Sequence, residues 1–132
     1  MAIAKRKSKK ASCNFSSEYD NQKALFEWAK LNENKYPELK LLNASLNGVR
    51  MRIGQAMKAK RAGMKKGYPD IFLPVARGDY HGLFIELKVK GNYPTKEQKW
   101  WLNELKKQGY KACVCYGFEE ARQTILNYLN NK

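Results

Sequence analysis

The sequence predicts an α/β fold, a mixed β-sheet flanked by helices in the order αβββαβα. Three observations lead to it. Two apolar runs, Ile71-Phe72-Leu73 and Leu83 to Val89, flank the turn-rich stretch Ala76 to Gly82 and read as a hairpin-like strand pair. A helical period between Thr95 and Gly109 separates the second run from another strand-like run, Lys111 to Tyr116, and that spacing implies a crossover and a parallel pair. Amphipathic helical periods at either end of this unit supply covering layers. The 132 residues are the length of one domain, and 43% of them are hydrophobic, enough for a real core.

Residues 1–15 form a basic tail of low hydrophobicity around Lys5-Arg6-Lys7-Ser8-Lys9-Lys10, expected to be disordered when free, and residues 16–132 form the folded domain. A serine N-cap at Ser16-Ser17, with Glu18 and Asp20 in the first turn, starts a helix that runs to about Leu31. Helical spacing lines up Glu18, Gln22, Leu25 and Ala29 as its inward stripe, with Lys23, Glu27 and Lys30 opposite. Leu39 to Leu46 reads as a strand closed by the turn pair Asn47-Gly48. A basic arm follows, Arg50, Arg52, Lys58, Lys60, Arg61, Lys65 and Lys66, part of it on a short helix from about Gln55 to Ala62 that Gly63 stops. In the strand from Leu83, alternation puts Phe84, Glu86 and Lys88 on one face and Leu83, Ile85, Leu87 and Val89 on the other. Thr95 and Gln98 form a capping box at the head of the next helix, whose inward stripe is Gln98, Trp101, Leu102 and Leu105. The last helix, Phe118 to about Asn130, is expected to bury Ala121, Ile125, Tyr128 and Leu129.

Charge narrows the function. Against 12 Asp+Glu stand 26 Lys+Arg, a formal +14, and a surface this positive attracts polyanions, nucleic acid foremost, ahead of anionic membranes and acidic proteins. Hardly any acidic residue interleaves with the arm from Arg50 to Lys66, which makes it the candidate grip on a phosphate backbone. No apolar run is long enough to span a bilayer, and the basic start lacks the apolar stretch of a signal peptide, so an intracellular protein is expected. Three cysteines, an odd number, argue against a disulfide framework, and Cys113 and Cys115 read as small core residues. The one histidine, His81, lies in a turn and is expected to face solvent. Trp100 and Tyr93 could serve a dimer face or stack on open bases, with core packing the first expectation.

Asp70, Glu86 and Lys88 stand inside or beside apolar strands, where burial is costly unless they are paired or hold a metal. Paired as a hairpin, the two strands bring Asp70 and Glu86 together at one end of the sheet. Hard anionic oxygens there suit Mg²⁺ or Mn²⁺, and the Leu87 backbone carbonyl can complete the set. Lys88, one pleat from Glu86 on the same face, can orient an attacking water or neutralise charge that develops at a phosphodiester. Glu18 is either a further carboxylate for this cluster or a helix-start acid facing the macrodipole.

The order Pro69-Asp70, hairpin, Glu86-Leu87-Lys88 resembles the PD-(D/E)xK nuclease signature. The wider context resembles its VRR-NUC (virus-type replication-repair nuclease) branch: Glu18-x-x-x-Gln22, Asn47-Gly48-x-Arg50, Lys66-Gly67-Tyr68-Pro69-Asp70, His81 to Lys88, Thr95-x-x-Gln98 and Gly109-Tyr110. The resemblance runs from Ser17 to Leu129 and implies a restriction-endonuclease-like core. It also implies Asp70 and Glu86 as metal ligands, Lys88 assisting the water, Glu18 joining the metal shell directly or through water, and Gln98 near the site, although the capping box alone explains Gln98. Two positions depart from the family pattern. Leu46 replaces a frequent proline, and Asn21 stands where phage members often have an acid, which removes a second helix carboxylate.

Stand-alone modules of this size resemble bacteriophage members, which implies the cytoplasm of a bacterial host and work in DNA repair or recombination. Their similarity to archaeal Holliday-junction resolvases implies a homodimer that nicks branched DNA, the four-way junction, symmetrically. Two other readings keep their place: the same nuclease acting on flap, nicked or linear DNA or RNA, and a non-catalytic basic nucleic-acid-binding protein.

Overall fold

A computed structural model of the chain describes residues 14–45 and 51–131. The basic stretch before Asn14, the Asn47-Gly48 turn, Leu46 and Arg50 lie outside the described residues.

Helix α1 spans Glu18–Leu31, and the Ser17 hydroxyl caps it by accepting the Asp20 N–H at 3.0 Å. Its buried residues are Asn21, Leu25 and Ala29, while Glu18 and Gln22 are only half-buried. The inward stripe thus runs through Asn21 rather than Glu18.

The strand expected over Leu39 to Leu46 is mostly not one. A 3₁₀-helix, Pro37–Leu41, takes its first part, and only Asn43–Ala44 forms a strand, β1. Pro37 pre-sets the first helical φ, and the buried residues Leu39 and Leu42 are three apart, the period of a 3₁₀ turn and the wrong one for a strand.

Six elements follow: helix α2 (Ile53–Arg61), strands β2 (Ile71–Leu73) and β3 (Leu83–Lys88), helix α3 (Lys96–Lys107), strand β4 (Lys111–Tyr116) and helix α4 (Phe118–Leu129). The sheet order is β1-β2-β3-β4. β1 and β2 pair antiparallel, as do β2 and β3, with Ile71 opposite Ile85 and Leu73 opposite Leu83. β3 and β4 pair parallel through the α3 crossover, Leu83 opposite Lys111 and Lys88 opposite Tyr116. The result is a mixed four-stranded sheet flanked by helices.

Alternation along β3 divides the interior. Leu83, Ile85 and Leu87 join Ile71 and Leu73 in the main core against Leu25 of α1 and Ala121, Ile125 and Leu129 of α4. All these side chains are nearly free of solvent contact, each worth about 1.5–3 kcal/mol of transfer free energy for the larger ones. Phe84 faces the other way, into a smaller cluster with Leu102 of α3 and Ala112 of β4, where Tyr68, Phe72 and Tyr110 pack around it. Glu86 and Lys88 share the Phe84 face, as expected. The burials expected on α4, Ala121, Ile125, Tyr128 and Leu129, also hold in the structure, on the main-core side.

His81 and both described cysteines also fall where expected: His81 is exposed, Cys115 buried and Cys113 partly so. Trp100 and Tyr93 do not pack in the core; they are 56% and 78% exposed, Trp100 because α3 turns Leu102 inward and leaves it on the outer side, and Tyr93 in the turn before α3. Among the described residues no helix is long and apolar enough to cross a membrane.

Candidate active site

The site begins with the turn before β2. Gly67 adopts φ +89°, and a Cβ there would lie 2.7 Å from the Glu97 carbonyl carbon and from its Cβ. Only glycine lets this backbone approach the start of α3 so closely. Tyr68 and the buried Pro69 then lead into Asp70, and the end of β1 holds this turn in place. The Ser45 N–H donates to the Asp70 carbonyl at 2.8 Å, and the Ser45 hydroxyl to the Pro69 carbonyl at 2.9 Å.

Extending the β2–β3 register by one residue sets Asp70 opposite Glu86, and by a second sets Pro69 opposite Leu87. Pro69 has no N–H, so the ladder cannot close at Leu87. The Leu87 N–H instead donates to Asp70 Oδ2 at 2.8 Å. In a strand the N–H and C=O of one residue point the same way, so the Leu87 carbonyl faces the same gap, where its ladder partner would be a proline.

Glu86 is 1% exposed, and its Oε1 has no hydrogen-bond partner among the described residues. Its Oε2 lies 3.9 Å from Lys88 Nζ, within ion-pair range but beyond hydrogen-bond length. Burial pushes the Glu86 carboxyl up to about 9, and the neighbouring Asp70 charge adds to this. Burial raises Asp70 as well, with the Glu86 carboxyl and the Leu87 N–H opposing the rise. Two buried carboxylates this close hold a proton between them unless a cation replaces it.

That unsatisfied oxygen is the test for a metal. Glu86 Oε1, the Asp70 carboxylate and the Leu87 carbonyl are hard oxygens at one sheet end, a donor set that fits a divalent cation such as Mg²⁺ or Mn²⁺. A third carboxylate is not gathered in: among the described residues no group of three His, Cys, Asp or Glu side chains stands close enough to hold an ion. Glu18 comes near enough for its charge to push both Asp70 and Glu86 upward. Its Oε2 accepts from Asn92 Nδ2 at 3.2 Å, an anchor in the turn after β3.

Gln98 is held by its cap: its Oε1 accepts the Thr95 N–H at 2.8 Å while Thr95 Oγ1 accepts the Gln98 N–H at 3.1 Å. The basic arm divides in two. Arg50 lies outside the described residues. Arg52, Lys58, Lys60, Arg61, Lys65 and Lys66 are all exposed, and none forms an ion pair within the described residues. Helix α2, which carries the middle of this set, has no buried residue at all.

Asn21, noted in the sequence only as a missing acid, proves to be a structural joint. Fully buried, it donates from Nδ2 to the Phe15 and Ser17 carbonyls at 2.9 and 2.7 Å, and its Oδ1 accepts the N–H groups of Phe15 and Phe118 at 3.2 and 2.8 Å. It ties Phe15, the head of α1 and the head of α4 into one joint. Asn14, grouped by sequence with the tail, belongs to the same joint by accepting the Glu119 N–H. The signal was present in the four-residue spacing of Asn21, Leu25 and Ala29 along one helical face.

A mixed sheet with an acidic pair and a lysine at the open end of its central hairpin has the layout of a nuclease-type α/β core. The VRR-NUC domain model matches residues 7–119. A solved structure, a VRR_NUC domain protein, is 35% identical and superposes with a TM-score of 0.73, covering 86% of this chain and 88% of that one. Comparison with curated proteins gives no match. The chain belongs to the VRR-NUC domain family, a family of nucleases.

Proposed function

We propose that this protein is a metal-dependent, structure-specific DNA endonuclease that hydrolyses phosphodiester bonds as a homodimer, with the four-way Holliday junction as its substrate. The observation that carries the reading is the buried Glu86 oxygen left without a partner beside Asp70. A fold gains nothing from such an atom, and a bound cation would satisfy it.

In this reading Asp70, Glu86 and the Leu87 carbonyl would hold Mg²⁺ or Mn²⁺, with Glu18 as a further carboxylate, directly or through water. When bound, the ion supplies Lewis acidity at the phosphate and lowers the pKa of a bound water. Lys88, 3.9 Å from the Glu86 carboxylate, orients the attacking water and balances the negative charge that grows on the phosphorus oxygens. Attack in line expels the 3′-oxygen and leaves a 5′-phosphate. Gln98 fixes the N-terminus of α3 next to Gly67, which keeps the Asp70 turn at its distance from β3. The exposed cations Arg52, Lys58, Lys60, Arg61, Lys65 and Lys66 grip the phosphate backbone, with Arg50 extending the set. Dimerisation would present two sites to opposite strands, which a symmetric junction requires.

The test is cleavage of end-labelled four-way junction, flap, nicked, linear and single-stranded DNA and of RNA, with Mg²⁺, Mn²⁺ or chelator. Metal-dependent paired nicks in the junction are expected, and cutting unchanged by chelator would overturn the metal role. Lys88→Ala should lose at least about 100-fold in rate while still binding DNA. Full activity in Glu86→Gln would remove the site assignment. A monomer in sedimentation at working concentration would remove the resolvase reading and leave the nuclease.

A further inference from the structure

We propose that the exposed ring of Trp100 is a stacking platform for an unpaired nucleobase of bound DNA, with Lys65, Lys66 and Lys96 holding the phosphates on either side of it. The inference rests on the nucleic-acid part of the reading above and not on hydrolysis.

Trp100 is the outer end of a braced aromatic run. Phe72 stacks on Phe84 with ring centroids 4.2 Å apart, Phe84 meets Tyr68 edge to face at 5.7 Å, Tyr68 meets Trp101 at 5.0 Å, and Trp101 meets Trp100 at 5.3 Å. Trp101 is fixed further by its indole N–H, which donates to the Lys66 carbonyl at 3.1 Å. Each ring in this run therefore limits the next, and the last, Trp100, is 56% exposed. A large apolar surface held in place in water costs solvation, but a ligand that stacks on it loses little entropy in ordering it.

The ring lines one wall of a groove of about 480 Å³ between the end of the basic arm and α3. Its charged lining is Lys65, Lys66 and Lys96 against the single carboxylate of Glu97. A flat π surface among cations matches the two parts of a nucleotide, base and phosphate, and no other common polyanion carries both. The groove also adjoins the turn that leads to Asp70. Lys66 leads directly into the Gly67 turn that delivers Asp70, and Gly67 packs on Glu97 and Gln98. The Phe84 face on which the run stands is the face that carries Glu86 and Lys88.

In a continuous duplex both faces of every base are already stacked. The platform therefore serves only a base that has left the helix, as when a pair opens at the centre of a four-way junction, or at a flap, a gap or a bulge. This makes Trp100 a specificity residue for DNA that presents an unpaired nucleotide.

The test is binding by the whole 132-residue chain in chelator, so that nothing is cut and a failure of the nuclease reading leaves the result intact. Fluorescence anisotropy compares a fully paired duplex with the same duplex carrying one unpaired 2-aminopurine. Wild type should prefer the unpaired probe by about tenfold and quench its emission, as base–aromatic stacking predicts. Trp100→Ala should abolish the preference and the quenching while keeping the paired duplex within about twofold, and Trp100→Phe should retain most of both. Circular dichroism checks that the variants are folded. Equal weakening of both probes by Trp100→Ala, or no weakening of either, overturns the proposal. So does a change in sedimentation without a change in DNA binding, which would assign the ring to a contact between copies.

Discussion

Asp70 Oδ2 accepts the Leu87 backbone N–H at 2.8 Å, a side chain standing in for a ladder carbonyl where β2 and β3 part. The same carboxylate that supplies charge to the site therefore also closes the sheet. Asparagine at this position can offer an oxygen to the same N–H without the charge, and alanine can offer neither. Asp70→Asn is expected to unfold in urea close to the parent, whereas Asp70→Ala should lose about 1–3 kcal/mol through the stranded buried N–H. Both should be inactive, so the two roles separate in one pair of variants.

Glu86 gives the protein a pH dependence of a defined sign. With its carboxyl raised from 4.5 to about 9, the folded chain keeps a proton that the unfolded chain has released throughout that window. Unfolding there releases a proton, so metal-free stability should fall as pH rises from about 5 to 9. Glu86→Gln removes the titration and should stabilise the metal-free protein at pH 8 by up to about 5 kcal/mol, with the gain gone near pH 4. Thermal unfolding across this range in chelator measures it. Adding Mn²⁺ should reverse the order, raising the wild type above the variant.

Asn21 uses both ends of its amide in the joint between α1 and α4. Asn21→Asp keeps the acceptor but turns a carboxylate oxygen toward the carbonyls of Phe15 and Ser17. Loss of about 3 kcal/mol or more is expected in urea denaturation, a larger loss than the smaller residue in Asn21→Ser should cause.

Loss of two cations from the arm should read out in salt dependence. Arg61→Ala with Lys65→Ala is expected to lower the slope of log K against log salt by about 2, while urea stability changes by less than about 0.5 kcal/mol. Anisotropy titrations at four salt concentrations check the first, and urea titration checks the second.

Much of the fold was legible because its signals are local. Ser17, the Thr95–Gln98 box and the alternation from Leu83 to Lys88 each announce an element within a few residues, and each appears where the pattern put it. The hairpin also made the approach of Asp70 to Glu86 readable, since only register was needed. What was missed depends on distant partners. Asn21 finds the Phe118 N–H 97 residues away, and Ser45 meets the Pro69 carbonyl 24 residues on. Leu39 and Leu42 were apolar residues in a short run, where strand and 3₁₀ periods are hard to tell apart without knowing which face the core will cover.

Helix α2 carries Lys58, Lys60 and Arg61 of the arm and buries none of its own residues. Its composition is consequently almost uncoupled from whether the chain folds, while the buried triad of Asp70, Glu86 and Lys88 has no such freedom. Under the proposed function, selection can therefore retune which nucleic acid is held, and how firmly, through substitutions that leave the proposed cutting residues untouched. One scaffold can in this way diverge toward new substrates without first passing through an unstable ancestor.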